Sequence, residues 1–315
     1  MMTLYFVIPC YNEEKVLNIT FELFINKLQD LIDKKIVNAN SKILYVDDGS
    51  SDNTLACIKE LNKKNKEVLC ISLSKNRGHQ NALLAGLMTA KSYADIIISM
   101  DCDGQDDINA VNKMIEKYND GCDIVYGVRN ERKTDSFFKR NTALLFYKFI
   151  NSLGVESIYN HADFRLMSKR ALDELEKYDE VNLYLRGQIP MLGFKTDIVY
   201  YDRTERLAGE THYPFSKMFG LAINAITNLS IKPIRAIFAL GMFIAFLCFL
   251  YIIYAIYRFC TGNTISGWAS LACAISFLSA VQLISIGIIG EYIGKIYMEV
   301  KHRPKYSIKE TIGFD

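Results

Sequence analysis

Twenty-two residues from Ala236 to Tyr257 carry no charged side chain, and after Arg258 a second uncharged stretch runs from Phe259 to Gly290. A helix crosses a bilayer with about 20 apolar residues, and it satisfies its backbone polar groups internally, as lipid demands. The pair therefore reads as two spanning helices, 234–257 and 267–290, turning near Thr261-Gly262-Asn263-Thr264. Lys232 and Arg235 precede the first span, and Lys295, Lys301, Arg303 and Lys305 follow the second, against Arg258 alone between them. Basic flanks stay in the cytoplasm, so both termini are expected there in an integral protein of the bacterial inner or plasma membrane, with 295–315 as a tail. Gly287, Gly290 and Gly294 line one side of the second span and leave room for a homo-oligomer through these helices. Just upstream, Lys217–Ser230 is rich in apolar residues with one lysine, as in a helix lying at the membrane interface, and 213–233 is read as that juxtamembrane segment.

Residues 1–212 must then fold in water. Short apolar runs at Leu4–Pro9, Ile43–Val46, Val68–Leu73, Ile96–Met100 and Ile124–Tyr126 alternate with helical stretches. That rhythm predicts an α/β domain with a mostly parallel sheet, and the nearly continuous apolar character of the runs predicts cover on both faces. Further helices are expected at Phe137–Leu153 and Lys169–Lys177, a returning strand at Phe194–Tyr201, and an N-cap at Ser51 or Asp52. The net charge of +2 offers no basic field for nucleic acid. Eight cysteines without a C-x-x-C pair read as reduced core thiols, and no signal peptide is read before Glu13 and Glu14.

In open sheets of this kind ligands sit beyond the C-terminal strand ends, and polar motifs fall there. Pro9-Cys10-Tyr11-Asn12-Glu13 follows the first run and Asp47-Asp48-Gly49-Ser50 the second. A carboxylate at such a strand end can accept hydrogen bonds from a base or ribose, and glycine lets backbone approach a nucleotide. After Met100 comes Asp101-Cys102-Asp103-Gly104-Gln105-Asp106, whose carboxylates at i and i+2 suit a hard cation such as Mg²⁺ or Mn²⁺. The four histidines show no ligand spacing.

As an ordered set these motifs, with Asn76-Arg77-Gly78, resemble the family 2 glycosyltransferases. The resemblance implies a GT-A nucleotide-sugar fold, a nucleotide diphosphate sugar donor, a role for Asp48 at base or ribose, and Asp103 at the metal. It narrows, through Asp123-x-Val125-Tyr126-Gly127-x-Arg129-x-x-Arg132, Ala162-Asp163-Phe164-Arg165-Leu166, Asn182-x-x-x-Arg186-Gly187 and Arg203-x-x-Arg206-x-x-Gly209-Glu210, to the polyprenyl-phosphate sugar synthases. The dolichol-phosphate mannose synthases and bactoprenol glucosyltransferases are of this type. Gly104 stands where the resemblance leads one to expect leucine, and Thr211 where it leads one to expect serine.

The resemblance also carries an expected chemistry. Asp101, Asp103 and Gln105 hold the metal, while Pro9, Tyr11, Asn12, Glu13, Asp48, Gly49, Asn76, Gly78 and Asp101 contact the nucleotide sugar. Arg129, Arg132, Arg203 and Arg206 take the acceptor phosphate, guanidinium forks being suited to phosphate oxygens. Asp103, Asp163, Arg129 and Arg132 are the catalytic set, with Asp163 activating the acceptor or positioning the sugar. The expected reaction inverts the anomeric carbon, moving a hexose onto undecaprenyl or another polyprenyl phosphate, with UDP-glucose the first choice of donor and UDP-galactose, an N-acetylhexosamine or GDP-mannose left open. Two other readings are a processive polysaccharide synthase, disfavoured because the single tryptophan, Trp268, lies in the second span, and a non-catalytic membrane protein that binds nucleotide sugar.

Overall fold

The computed structural model describes residues 1–130, 161–181, 183–202, 232–261 and 267–314. They fall into two compact units, one built around a sheet and one around two long helices.

In the first unit, strands β1 (Leu4–Cys10), β2 (Lys42–Asp47), β3 (Val68–Leu73), β4 (Ile96–Ser99), β5 (Ile124–Arg129), β6 (His161–Ser168), β7 (Thr196–Tyr201) and β8 (Ile308–Ile312) form one sheet in the order β7-β5-β6-β4-β1-β2-β3-β8. Pairs β1/β2, β2/β3, β1/β4 and β5/β7 are parallel, whereas β6 runs antiparallel to both β4 and β5, and β8 antiparallel to β3. The helices are α1 (Glu14–Asp33), α2 (Thr54–Lys64), α3 (His79–Ala90), α4 (Ala110–Asn119), α5 (Lys169–Leu175) and α6 (Leu185–Met191).

Strand alternation divides the core. Leu4, Phe6 and Ile8 of β1 join the cluster that holds Leu17, Phe21, Phe24, Leu28 and Leu31 of α1, a helical i, i+4, i+7 spacing. Tyr5 and Val7 face the other cluster, with Ala82, Leu83, Ala85 and Leu87 of α3 and Leu185 and Ile189 of α6. Both faces are thus covered, as continuous apolar strands require. Burying a Leu, Ile or Phe side chain contributes roughly 1.5–3 kcal/mol, so these two layers fix the strand ends on which the polar loops sit.

Two strands go beyond the sequence reading. Ala162-Asp163-Phe164-Arg165-Leu166, to which that reading assigns no element, lies inside β6, and its alternation is that of a central strand whose Phe164 and Leu166 enter one cluster. The segment 308–312, within the expected tail, forms β8. It is held by the ladder to β3, by Lys59 to Glu310 at 2.8 Å, and by Phe314 against Tyr93 at 5.5 Å between ring centres. The N-cap of α2 is Asn53, not Ser51 or Asp52; Asp52 Oδ1 instead accepts the Thr54 amide at 3.0 Å.

The second unit contains α7 (Lys232–Cys260) and α8 (Trp268–Val300). Windows Ile234–Tyr251 and Phe277–Val300 have mean hydropathies of 2.2 and 1.5 and are almost wholly unburied. Phe238, Phe243, Phe246, Leu283 and Ile284 are all more than half exposed. Both helices are long and apolar enough to cross a membrane. The α8 helix continues a further ten residues past Gly290, where the sequence reading closed the second span. The expected helices at Phe137–Leu153 and Lys217–Ser230 lie outside the described residues.

Candidate active site

The loops after β1 and β2 form one platform. The amide of Asn12 donates to Ser50 Oγ at 3.0 Å, and Asn12 Oδ1 accepts the Ser51 amide at 2.9 Å. The Glu13 amide donates to Thr54 Oγ1 at 2.8 Å, and Glu14 Oε2 accepts the Asn53 amide at 3.0 Å. The two sequence motifs are therefore each other's hydrogen-bond partners, which accounts for their polar residues before any ligand is considered. Tyr11 projects from this platform at 46% exposure, while Pro9 is buried in β1.

Asp48 binds the neighbouring loop. It is 2% exposed, and its two oxygens accept the amides of Arg77 (2.7 Å) and Gly78 (2.9 Å). Burial raises its pKa, an effect the two amides oppose. The adjacent Gly49 has φ +65, and a Cβ there would lie 2.6 Å from the Lys75 carbonyl carbon, so no other residue fits without strain. Asp48 and Gly49 thus shape the Asn76–Gly78 turn that leads into α3.

The acidic loop leaves β4 on the same rim. Asp101 is partly buried, and its pKa is lifted to about 6 by desolvation and by the charges of Asp106, Asp163 and Asp103, with His79 opposing. Asp103 accepts the Gln105 amide at 3.1 Å, closing the turn at Gly104, which has φ +66. Gln105 itself is buried at 5% exposure. Asp106 accepts from the Tyr201 hydroxyl and from Arg129 Nη2 at 3.1 Å, while its Oδ2 is buried with no partner among the described residues.

Beside the loop stands a second ionic group. Asp163 Oδ1 accepts from Arg165 Nη2 and from Arg186 Nε at 3.2 Å. Its Oδ2 contacts His79 Nε2 at 3.1 Å and accepts from Arg186 Nη2 at 3.0 Å. Burial alone would raise the Asp163 pKa, but the His79 hydrogen bond and the two guanidinium charges hold it well below the usual carboxylate range. His79 Nε2 also lies 3.8 Å from Asp101, joining the group to the acidic loop. Burial disfavours the imidazolium, yet Asp163 and Asp101 together raise the His79 pKa.

Residues 5–176 match the family model described as glycosyl transferase family 2, and residues 232–296 match the one described as GtrB C-terminal hairpin. The chain belongs to glycosyl transferase family 2. Its fold is the GT-A type expected from the resemblance, with a mixed sheet, and the enzyme is a glycosyltransferase. It is 53% identical to the uncharacterized glycosyltransferase YkoT of Bacillus subtilis over 96% of this chain and 90% of that one. It is 38% identical to the bactoprenol glucosyl transferase of Shigella phage SfII over 98% of each chain. It is 37% identical to the prophage bactoprenol glucosyl transferase homolog of Escherichia coli over 98% of this chain and 99% of that one.

In this glycosyltransferase the structure brings Asp101, Asp103, Asp163 and Arg129 to one rim of the sheet. Arg129 is engaged there, donating from Nε to the Tyr201 hydroxyl at 3.1 Å and from Nη2 to Asp106. Arg132, Arg203 and Arg206 lie outside the described residues. His79 and Arg186 are site residues to which the sequence reading gave no role. His79 directly follows the Asn76-Arg77-Gly78 motif and Arg186 is itself part of Asn182-x-x-x-Arg186-Gly187, but neither motif says what its side chain meets.

Among the described residues no three His, Cys, Asp or Glu side chains converge as a cation cage. A magnesium-type ion does not need one, because it keeps waters and binds through one or two carboxylates plus substrate phosphates. The carboxylates of Asp101, Asp103 and Asp106 on this one loop, with Asp106 Oδ2 left without a partner among the described residues, fit such an ion.

Proposed function

We propose that this glycosyltransferase moves a hexose, glucose from UDP-glucose, onto undecaprenyl or another polyprenyl phosphate at the cytoplasmic membrane face, inverting the anomeric carbon. The observation that carries the reading is the joining, in one chain, of an acidic rim flanked by cations to an apolar helical hairpin. Relatives named bactoprenol glucosyl transferase match over both parts. The chain enters the hairpin from the sheet unit and returns to that unit as β8. That connectivity supports two spans with both flanks on one side, the side the basic residues mark as cytoplasmic.

The acceptor supplies its own nucleophile. A phosphate monoester has a second pKa near about 6 and is largely dianionic at cytosolic pH, so the site needs no strong base. Asp163 has all its acceptor positions taken and acts as a positioning residue. Mg²⁺ or Mn²⁺ held by Asp101 and Asp103 would offset the charge of the departing nucleotide diphosphate. Asp48 and Gly49 preform the turn that receives the nucleotide, with Tyr11, Asn12, Glu13, Asn76 and Gly78 around it. Arg129, Arg132, Arg203 and Arg206 remain the candidates for the acceptor phosphate.

The test is a screen of purified protein in nanodiscs against UDP-glucose, UDP-galactose, UDP-N-acetylhexosamines and GDP-mannose, with undecaprenyl phosphate as acceptor. A β-linked glucosyl lipid from UDP-glucose is the expected product. An α-linked product, or transfer only to a soluble acceptor, would overturn the reading.

A further inference from the structure

Asp163 is over-supplied with cations. Two guanidinium groups and one imidazole share a single carboxylate, so the cluster carries a surplus positive charge beside Asp101. Arg165 is fully buried on β6 and cannot reach a ligand in solution. It already gives Asp163 a buried counter-ion, which leaves Arg186 unnecessary for neutralising that carboxylate.

Arg186 differs from Arg165 in position. Its side chain is 42% exposed, and only Nε and one Nη2 hydrogen are spent on Asp163. A guanidinium has five N–H groups in a fixed plane, so three are left, with no partner among the described residues. Asp163 grips one edge of the fork, fixing its plane while the other edge points away from the carboxylate. His79, on the same Asp163 oxygen, also lies 3.8 Å from Asp101 and so links this fork to the acidic loop.

We propose that Arg186, oriented by Asp163, binds a phosphoryl oxygen of a substrate. This inference rests on the proposed transfer between two phosphate-bearing substrates. The phosphate belongs either to the donor diphosphate or to the acceptor headgroup, and the charge and planar geometry suit both.

The full-length protein in nanodiscs would be compared with R186Q, R186A and R186K, using KM for UDP-glucose, KM for undecaprenyl phosphate, kcat, and the Kd of UDP and of uridine. Loss of a charge-assisted hydrogen bond predicts a roughly 10- to 100-fold weakening for R186Q, with R186K intermediate. A donor contact raises the Kd of UDP and the donor KM and leaves uridine unmoved. An acceptor contact raises only the KM for undecaprenyl phosphate. Folded variants, with unfolding midpoints like the parent, whose KM and Kd values all stay within twofold would overturn the proposal, as would a fall in kcat alone. If R186A misfolds, R186Q and R186K carry the comparison. A parent protein that fails to glycosylate undecaprenyl phosphate would refute the proposed reaction instead, while the UDP and uridine arms would still report on Arg186.

Discussion

Removing the Asp163 carboxylate should expose how much of the fold rests on it. Asp163→Ala strands Arg165, a side chain with 0% exposure whose Nε and Nη1 have no other partner among the described residues. Breaking a buried ion pair from one side costs about 3–5 kcal/mol, because the remaining charge is left in low dielectric. Replacing both charges with apolar groups is close to neutral, so adding Arg165→Met should recover most of the loss, to within about 1–2 kcal/mol. The double variant should then be more stable than Asp163→Ala by about 1–4 kcal/mol. At roughly 2–4 °C per kcal/mol for a domain of this size, the single variant falls by about 6–20 °C. Tryptophan fluorescence would miss it, since the single tryptophan, Trp268, begins α8 in the other unit. Amide hydrogen exchange of peptides covering β4 and β6 reads the right unit. A loss below about 1 kcal/mol for Asp163→Ala, or no recovery in the double variant, would refute the reasoning that the buried Arg165 charge depends on Asp163.

Three further outcomes are expected. Asp103→Ala should abolish metal-dependent turnover while leaving the unfolding midpoint within a few degrees; full activity of that variant in excess chelator would remove the cation from this loop. Gly49→Ala, forced to φ +65 with its Cβ 2.6 Å from the Lys75 backbone, should destabilise by about 1–3 kcal/mol and weaken UDP at least tenfold by calorimetry. Truncation after Pro304 removes β8 and bares the β3 edge; lower melting and concentration-dependent aggregation by light scattering are expected, and an unchanged monodisperse protein would contradict a structural role for the strand.

Local periodicity alone was enough to define much of the architecture. The five runs read as parallel strands are β1 to β5, within three residues at each end, because a buried parallel strand announces itself by unbroken apolar character. The uncharged runs likewise located α7 and the body of α8, since the bilayer asks only for length and apolarity. The acidic loop was legible because it directly follows such a strand.

The remainder came only with the packed fold. The charges of Asp163 and Arg165 break the apolar run that would announce a strand, and only the antiparallel ladders place the β6 segment between β4 and β5. The contact between His79 and Asp163 joins residues 84 apart in sequence, and the Lys59 to Glu310 contact joins residues 251 apart. No window of sequence contains both ends of such a pair. A charged side chain inside a strand is tolerated only where the fold delivers its counter-ion, and that delivery is a property of the packed chain.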